Sequence, residues 1–172
     1  MMNSRPQYIL QPVNPYFIAF SLAAAFLLNL LPWGKLIGVP DFVALVLVFW
    51  NVHQPRKVGM GIAFILGILM DVHNASLLGE HALAYTLLSY GAITIHRRVL
   101  WMSLGLQTFA VTPILVGAQL VPFVIRLLMG APFPGWGYLV SGFVAAALWP
   151  VATLLLLLPQ RRPVDPDDTR PI

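Results

Sequence analysis

A chain of 172 residues with 59% hydrophobic and only 9% charged side chains and a mean hydropathy of +0.81 lies outside the range of water-soluble domains, where roughly a quarter of residues are charged. That balance excludes a soluble enzyme or a nucleic-acid-binding domain and describes an all-α integral membrane protein. The formal charge of +4 comes from short basic clusters beside apolar runs, which is how topology signals are placed. The absence of cysteine removes disulfides, thiolate metal sites and cysteine nucleophiles.

Residues 1–14 are polar, carry Pro6 and Pro12, and read as a short tail. Tyr16 to Trp33 is the first span, about 27 Å long at 1.5 Å per residue, close to the ~30 Å hydrocarbon core. The run is too long for a signal-peptide core, Arg5 lies far from it, and no small-x-small site follows, so it is expected to stay attached. Pro40 and Asp41 suit the start of a second helix, the proline because its missing N–H is not needed there and the acid because it meets the positive dipole end. That helix, ending near Trp50 to Val52 ahead of Pro55, is short for a crossing, so either it lies tilted among partners or part of the Leu36 to Val39 stretch also enters the membrane.

Arg56 and Lys57 precede a third span, Val58 to Asp71. Cations at a helix start oppose its macrodipole, so membrane orientation accounts for them better than helix stability. A fourth helix is expected over Leu77 to Ile95, followed by His96, Arg97 and Arg98. The apolar stretch Val99 to Met129 is too long for one crossing, which predicts a kink near Pro113 and a break at Pro122. Trp136 to Leu158 forms a sixth span, and 159–172, proline-rich and charged, is expected to be disordered.

With the first tail in the cytoplasm, this six-helix arrangement puts Arg5, Arg56, Lys57, Arg97, Arg98, Arg161, Arg162 and Arg170 inside and only Lys35 and Arg126 outside, a positive-inside bias. The domain is then 15–158, with both termini cytoplasmic. Trp33 and Trp136 mark the outer interface, Trp50 and Trp101 the inner one, and Trp149 is expected to fill a gap between helices.

The most constrained stretch is Val58 to Gly91. Gly59, Ala63, Gly67 and Asp71 recur every four residues, a stripe of small side chains that lets another helix backbone approach and that ends in a carboxylate. Asp71 sits in the last turn of its helix, against the negative dipole end, so something else must hold it. One reading has it capping the free N–H groups at the start of the next helix, around Ser76 to Glu80; the other has it meeting a partner or small molecule.

Enzymatic signatures are absent: there is no H-E-x-x-H, no G-x-S-x-G and no mid-membrane aspartate pair. Asp71, His73, Glu80 and His81 could gather, but their spacing is not that of a recognised metal site, so neither metal nor cofactor is expected. Gln107, Thr108, Thr112 and Gln119 are the polar cluster able to line a substrate pocket if the chain were a small-molecule-binding transporter subunit; interhelical hydrogen bonding is the simpler use for them.

Pro40-Asp41, Trp50, Pro55, Val58-Gly59, Phe64, Gly67, Leu69, Asp71, Leu78-Gly79, His81-Ala82 and Tyr90 together resemble the signature of the bacterial rod shape-determining MreD family, over about a third of the chain. Glu80 departs from it, standing where a more neutral polar residue is expected. The resemblance implies a non-enzymatic inner-membrane component of the machinery that elongates rod-shaped cells. Its partners would be MreC, a single-span protein with a periplasmic domain, and, in the same complex, MreB, RodA and a class B transpeptidase. It also implies a fold similar to the substrate-binding subunits of energy-coupling factor transporters, which by itself assigns no substrate. On this reading Gly59, Ala63, Gly67, Asp71, Gly79, Glu80 and His81 form the partner-binding surface, and Pro40, Asp41, Trp50 and Pro55 are structural.

Overall fold

The computed structural model describes residues 9–10, 13–33, 36, 38–132 and 135–162. Its elements are β1 (Ile9–Leu10), α1 (Pro15–Leu30), α2 (Phe42–His53), α3 (Met60–His73), α4 (Glu80–Trp101), α5 (Leu104–Leu128), α6 (Trp136–Ala147), α7 (Trp149–Leu157), a 3-10 turn (Leu158–Gln160) and β2 (Arg161–Arg162). Asn14 caps α1, accepting from Tyr16 N–H at 3.0 Å, with Pro15 in the first turn. Asp41 caps α2, accepting from Ala44 N–H at 3.0 Å.

From Val43 to Val52, α2 is buried at all but one position. A helix that is hydrophobic all round has to be enclosed by others, and α2 packs against α1, α4, α5, α6 and α7. In sequence order α3 folds back along α4, α4 along α5, and α5 along α6. Trp50 lies wholly inside this bundle, its Nε1–H donating to Ser21 Oγ at 2.8 Å. It ties α1 to α2 and is enclosed by the bundle, whereas Trp101 and Trp136, expected with it at the interfaces, are 92% and 76% exposed. Trp149 fills the space between α2, α5 and α7, with its ring 6.2 Å from Phe49 and its Nε1–H directed to Gln107 Oε1 at 3.3 Å.

Several boundaries differ from the sequence reading. α5 runs unbroken through Pro113 and Pro122; no break occurs at Pro122, because the neighbours of a packed membrane helix can offset a lost backbone bond. α4 continues through His96, Arg97 and Arg98 to Trp101, where cations in the closing turns meet the negative end of the dipole. The last apolar run is two helices, bent 43° at Leu148; Pro150 cannot donate back to the preceding turn and its ring crowds it. Among the described residues there are therefore seven α-helices where six were expected.

Two short segments that flank the helical bundle also meet. β1 pairs antiparallel with β2, Ile9 opposite Arg162 and Leu10 opposite Arg161, although tails had been expected on both sides; the rest of those tails, 1–8, 11–12 and 163–172, and Lys35 lie outside the described residues. Lys57 Nζ donates to the Val13 carbonyl at 2.6 Å, fastening the first segment to the turn between α2 and α3.

By length and composition, α5 alone among the described helices could cross a bilayer as a single straight element, and the bent α6–α7 pair could form a second span. α1, α2 and α3 are apolar but shorter. Apart from the short β1–β2 pair, the described architecture is all-helical and consistent with a membrane protein.

Candidate functional site: the α3–α4 hairpin

Helix α3 has its main packing partner in α4. Ala63 is fully buried, and Gly67 is buried where the two backbones come closest. A Cβ added to Gly67 would lie 2.5 Å from the Ala82 nitrogen and 2.7 Å from the His81 carbonyl carbon. Those are main-chain atoms that cannot swing aside, so only hydrogen fits. Gly59 falls outside this seam: it precedes α3 as its N-cap residue, and a Cβ there would meet nothing within 4 Å.

One turn beyond Gly67, Asp71 is wholly buried and its carboxylate faces the beginning of α4. Oδ2 accepts from Gly79 N–H at 2.8 Å and from Ala82 N–H at 3.4 Å. Oδ1 accepts from His81 N–H at 2.8 Å and from Ser76 Oγ at 3.1 Å, and pairs with His81 Nδ1 at 2.8 Å. The first N–H groups of a helix have no partner within it and carry its positive dipole end. A carboxylate from the preceding helix therefore does for α4 what a cap residue of its own would do. Gly79 makes the turn possible, with φ +102, a left-handed conformation costly for other residues. Ala75 at φ 48 is the one non-glycine described in that region.

Glu80, next in the chain, is 2% exposed and takes a hydrogen bond from Arg126 Nε on α5. Arg126 in turn lies 5.9 Å from the centre of the Tyr138 ring on α6. A guanidinium had been assigned to this end only as a stray outer charge; it is the counter-ion of a buried acid, and it links α4, α5 and α6. Removing one member of such a pair leaves an uncompensated charge. Arg126→Met is expected to cost about 2 kcal/mol, reduced from the fully buried case because the arginine is partly exposed, and adding Glu80→Gln should restore part of it. Thermal unfolding of the two single variants and the double variant checks the coupling.

At the same end Asp41 joins three elements. Besides capping α2 it accepts from Asn29 Nδ2 on α1 at 2.8 Å and from the Tyr85 hydroxyl on α4 at 2.7 Å. Sequence reading gave Asp41 a local role and missed Asn29 and Tyr85, whose positions 12 and 44 residues away leave no local trace. Asp41 and His81 both line a cavity of about 440 Å³.

The seven residues expected to face a partner thus divide. Ala63, Gly67, Asp71 and Glu80 are spent inside the bundle, His81 stands between the Asp71 carboxylate and the cavity, and Gly59 and Gly79 border open space. His73 is exposed at the end of α3, and among the described residues no group of three or more His, Asp or Glu could hold a metal ion. Pro55 lies in the turn after α2, where Lys57 and Val58 N–H both bond to the Gln54 carbonyl. Gln107, Thr108, Thr112 and Gln119 do not share one pocket: Gln107 meets Trp149, the two threonines bond back to Leu104 and Thr108 within α5, and Gln119 alone reaches the cavity.

Comparison with known proteins places this hairpin in context. A family model described as rod shape-determining protein MreD matches residues 11–158. The chain is 31% identical over 134 residues to the rod shape-determining protein MreD of Haemophilus influenzae, covering 77% of this chain and 83% of that protein. No solved structure matches. A match that runs from before the first helix to the last places the whole helical bundle, and not the hairpin alone, within one family: the chain belongs to the rod shape-determining protein MreD family.

Proposed function

We propose that this protein is a non-enzymatic membrane scaffold of the complex that elongates rod-shaped cells, that it binds MreC, and that it supports peptidoglycan synthesis in company with MreB, RodA and a class B transpeptidase. Family membership supports the shape-determining role. The observation that carries the scaffold reading is that the acids of the α3–α4 hairpin are spent on holding it together, Asp71 on backbone N–H groups and Glu80 on Arg126. A hairpin fixed in this way presents a constant outer surface. On α3 that surface is Phe64, Ile65, Leu69 and Val72, and on α4 Leu83 and Leu87, all largely exposed. In lipid, a partner helix gains affinity from close packing and from a few hydrogen bonds worth about 0.5 to 2 kcal/mol each, which favours a preformed face.

The arrangement in the membrane is proposed with it: a domain over 15–158 crossing six times, α6 and α7 forming one bent span, in the inner membrane with both termini cytoplasmic. Pairing of β1 with β2 supports placing the two ends on one side. Exposed Arg56, Lys57, Arg97 and Arg98 supply the positive-inside signal, and Asp41, Asp71 and Glu80 then lie at the outer end.

Depletion in a rod-shaped host is expected to round the cells, and a tagged copy should recover MreC on purification. Phe64→Ala combined with Leu69→Ala should fold normally and lower MreC recovery by at least about tenfold, the loss of roughly 1.4 kcal/mol of packing. Failure of the wild-type protein to recover MreC, or unchanged recovery when both this pair and Leu83 with Leu87 are truncated, would count against the reading.

A further inference from the structure

We infer that the cavity at the Asp41 end of the bundle is a binding site for a small organic cation, an alkylammonium or guanidinium group. This goes beyond the scaffold role and does not rest on it. The cavity, about 440 Å³, is lined by Asn29, Trp33, Asp41, His81, Gln119 and Tyr138 among others, and among the described residues no lysine or arginine lines it. A phosphate or carboxylate ligand would meet the Asp41 carboxylate there and no cation among the described residues, which favours neutral or cationic molecules.

The charges decide between those two. Three acids lie among the described residues. Asp71 is spent on the start of α4, its two oxygens engaged by five groups, and Glu80 has Arg126, whereas among the described residues Asp41 has only neutral donors: the Asn29 amide, the Ala44 N–H and the Tyr85 hydroxyl. A carboxylate offers about four acceptor positions, so one remains, and the partial charge of a helix terminus is roughly half of what a full counter-ion supplies.

Acceptors for a cation's N–H groups are in place around it. Gln119 is 9% exposed and lines the cavity, and its amide makes no hydrogen bond within the described structure. Buried amides are normally paired, and one left open toward a cavity points to a ligand. His81 Nδ1 is engaged by Asp71, so in the neutral ring the other nitrogen is the acceptor. Trp33 and Tyr138 add aromatic rings of the kind that attract ammonium and guanidinium groups.

The test uses the full chain in lipid nanodiscs and calorimetric titration with butylammonium and butylguanidinium, with 1-pentanol as the neutral probe and butyrate as the anionic one. At least one cation is expected to bind saturably and the neutral and anionic probes not to bind. Asp41→Asn keeps a residue that caps helices as well as aspartate does, so it should fold, and it should bind the cation at least about tenfold more weakly. Gln119→Leu removes the other open acceptor without breaking any bond seen in the structure, and should also weaken binding. It decides the matter if Asp41→Asn fails to fold. An acetylated, amidated Gly-Arg-Gly peptide separates the two sources of the group: tighter binding of the peptide than of butylguanidinium marks a polypeptide side chain as the occupant, and the reverse marks a free molecule. The proposal is overturned if neither cation binds, if 1-pentanol binds as well as the cations do, or if folded Asp41→Asn and Gln119→Leu both bind like the wild type.

Discussion

Replacing Gly67 with alanine is expected to destabilise the protein by about 3 kcal/mol, at the upper end of what overpacking a close contact costs. The added methyl would come within 2.5 Å of the Ala82 nitrogen, and since the obstacle is main chain, no rotamer change relieves it. Helix α4 would have to move away from α3, and in moving it would draw the N–H groups of Gly79, His81 and Ala82 off the Asp71 carboxylate. The cost is therefore larger than the steric one alone. Gly61, also within α3, has nothing within 4 Å of its would-be Cβ. Gly61→Ala should be neutral or stabilising by up to about 1 kcal/mol, because alanine loses less backbone freedom in a helix. Unfolding of both variants in the same nanodiscs makes the comparison, and equal effects would show that the backbones do not touch.

Asp71→Asn should cost about as much by a different route. The carboxylate only accepts: three backbone N–H groups, the Ser76 hydroxyl and the His81 ring converge on its two oxygens. An amide has one oxygen and one NH2, so whichever way it turns, a donor faces donors. Leaving buried donors unsatisfied costs about 1 to 3 kcal/mol for each group, so a total near 3 kcal/mol is expected. Ser76→Ala, which removes a single hydroxyl donor, should cost about 1 kcal/mol. The readout is thermal unfolding together with the ability of each variant to restore rod shape in depleted cells. Full stability of Asp71→Asn would show that the carboxylate is not the cap of α4.

How much of this could be read from the sequence follows from how local each feature is. Asp71 stood out because it opposes its own helix dipole, and that misfit, with free N–H groups due a few residues later, made the start of α4 one of two readings, the other being a partner or small molecule; the hydrogen bonds give the first. Ala63 and Gly67 were legible from their four-residue spacing. Gly59 shares the spacing and not the contact, because α3 begins only at Met60, and a stripe means nothing off the helix. Pro40 and Asp41 announced the start of α2 by chemistry that acts within one turn.

Distant pairings left no such trace. Arg126 meets Glu80 across 46 residues, Tyr85 meets Asp41 across 44, and Asn51 donates to Ser89 across 38. Periodicity tells which face of a helix is buried and not which neighbour covers it, and in so apolar a chain even the face is faint. Trp50 shows the same limit: a tryptophan near a helix end suits an interface, and only the position of Ser21 on α1 reveals that it is buried. The prolines mislead in both directions. Pro122 leaves α5 intact, whereas Pro150 bends the chain by 43°, and composition alone does not distinguish a proline whose lost bond is offset by neighbours from one at the joint of two helices.

Amide hydrogen exchange at His81 and Ala82 tests most directly whether α3 and α4 form one hairpin locked by a buried carboxylate. N–H groups in the first turn of a helix exchange quickly when water is their partner, and slowly when exchange requires the contact to open. In the wild-type protein both amides should be protected to the same degree as the interior of α4, and in Asp71→Asn that protection should be lost while the middle of α4 keeps its own. Rapid exchange of both amides in the wild-type protein would contradict the lock.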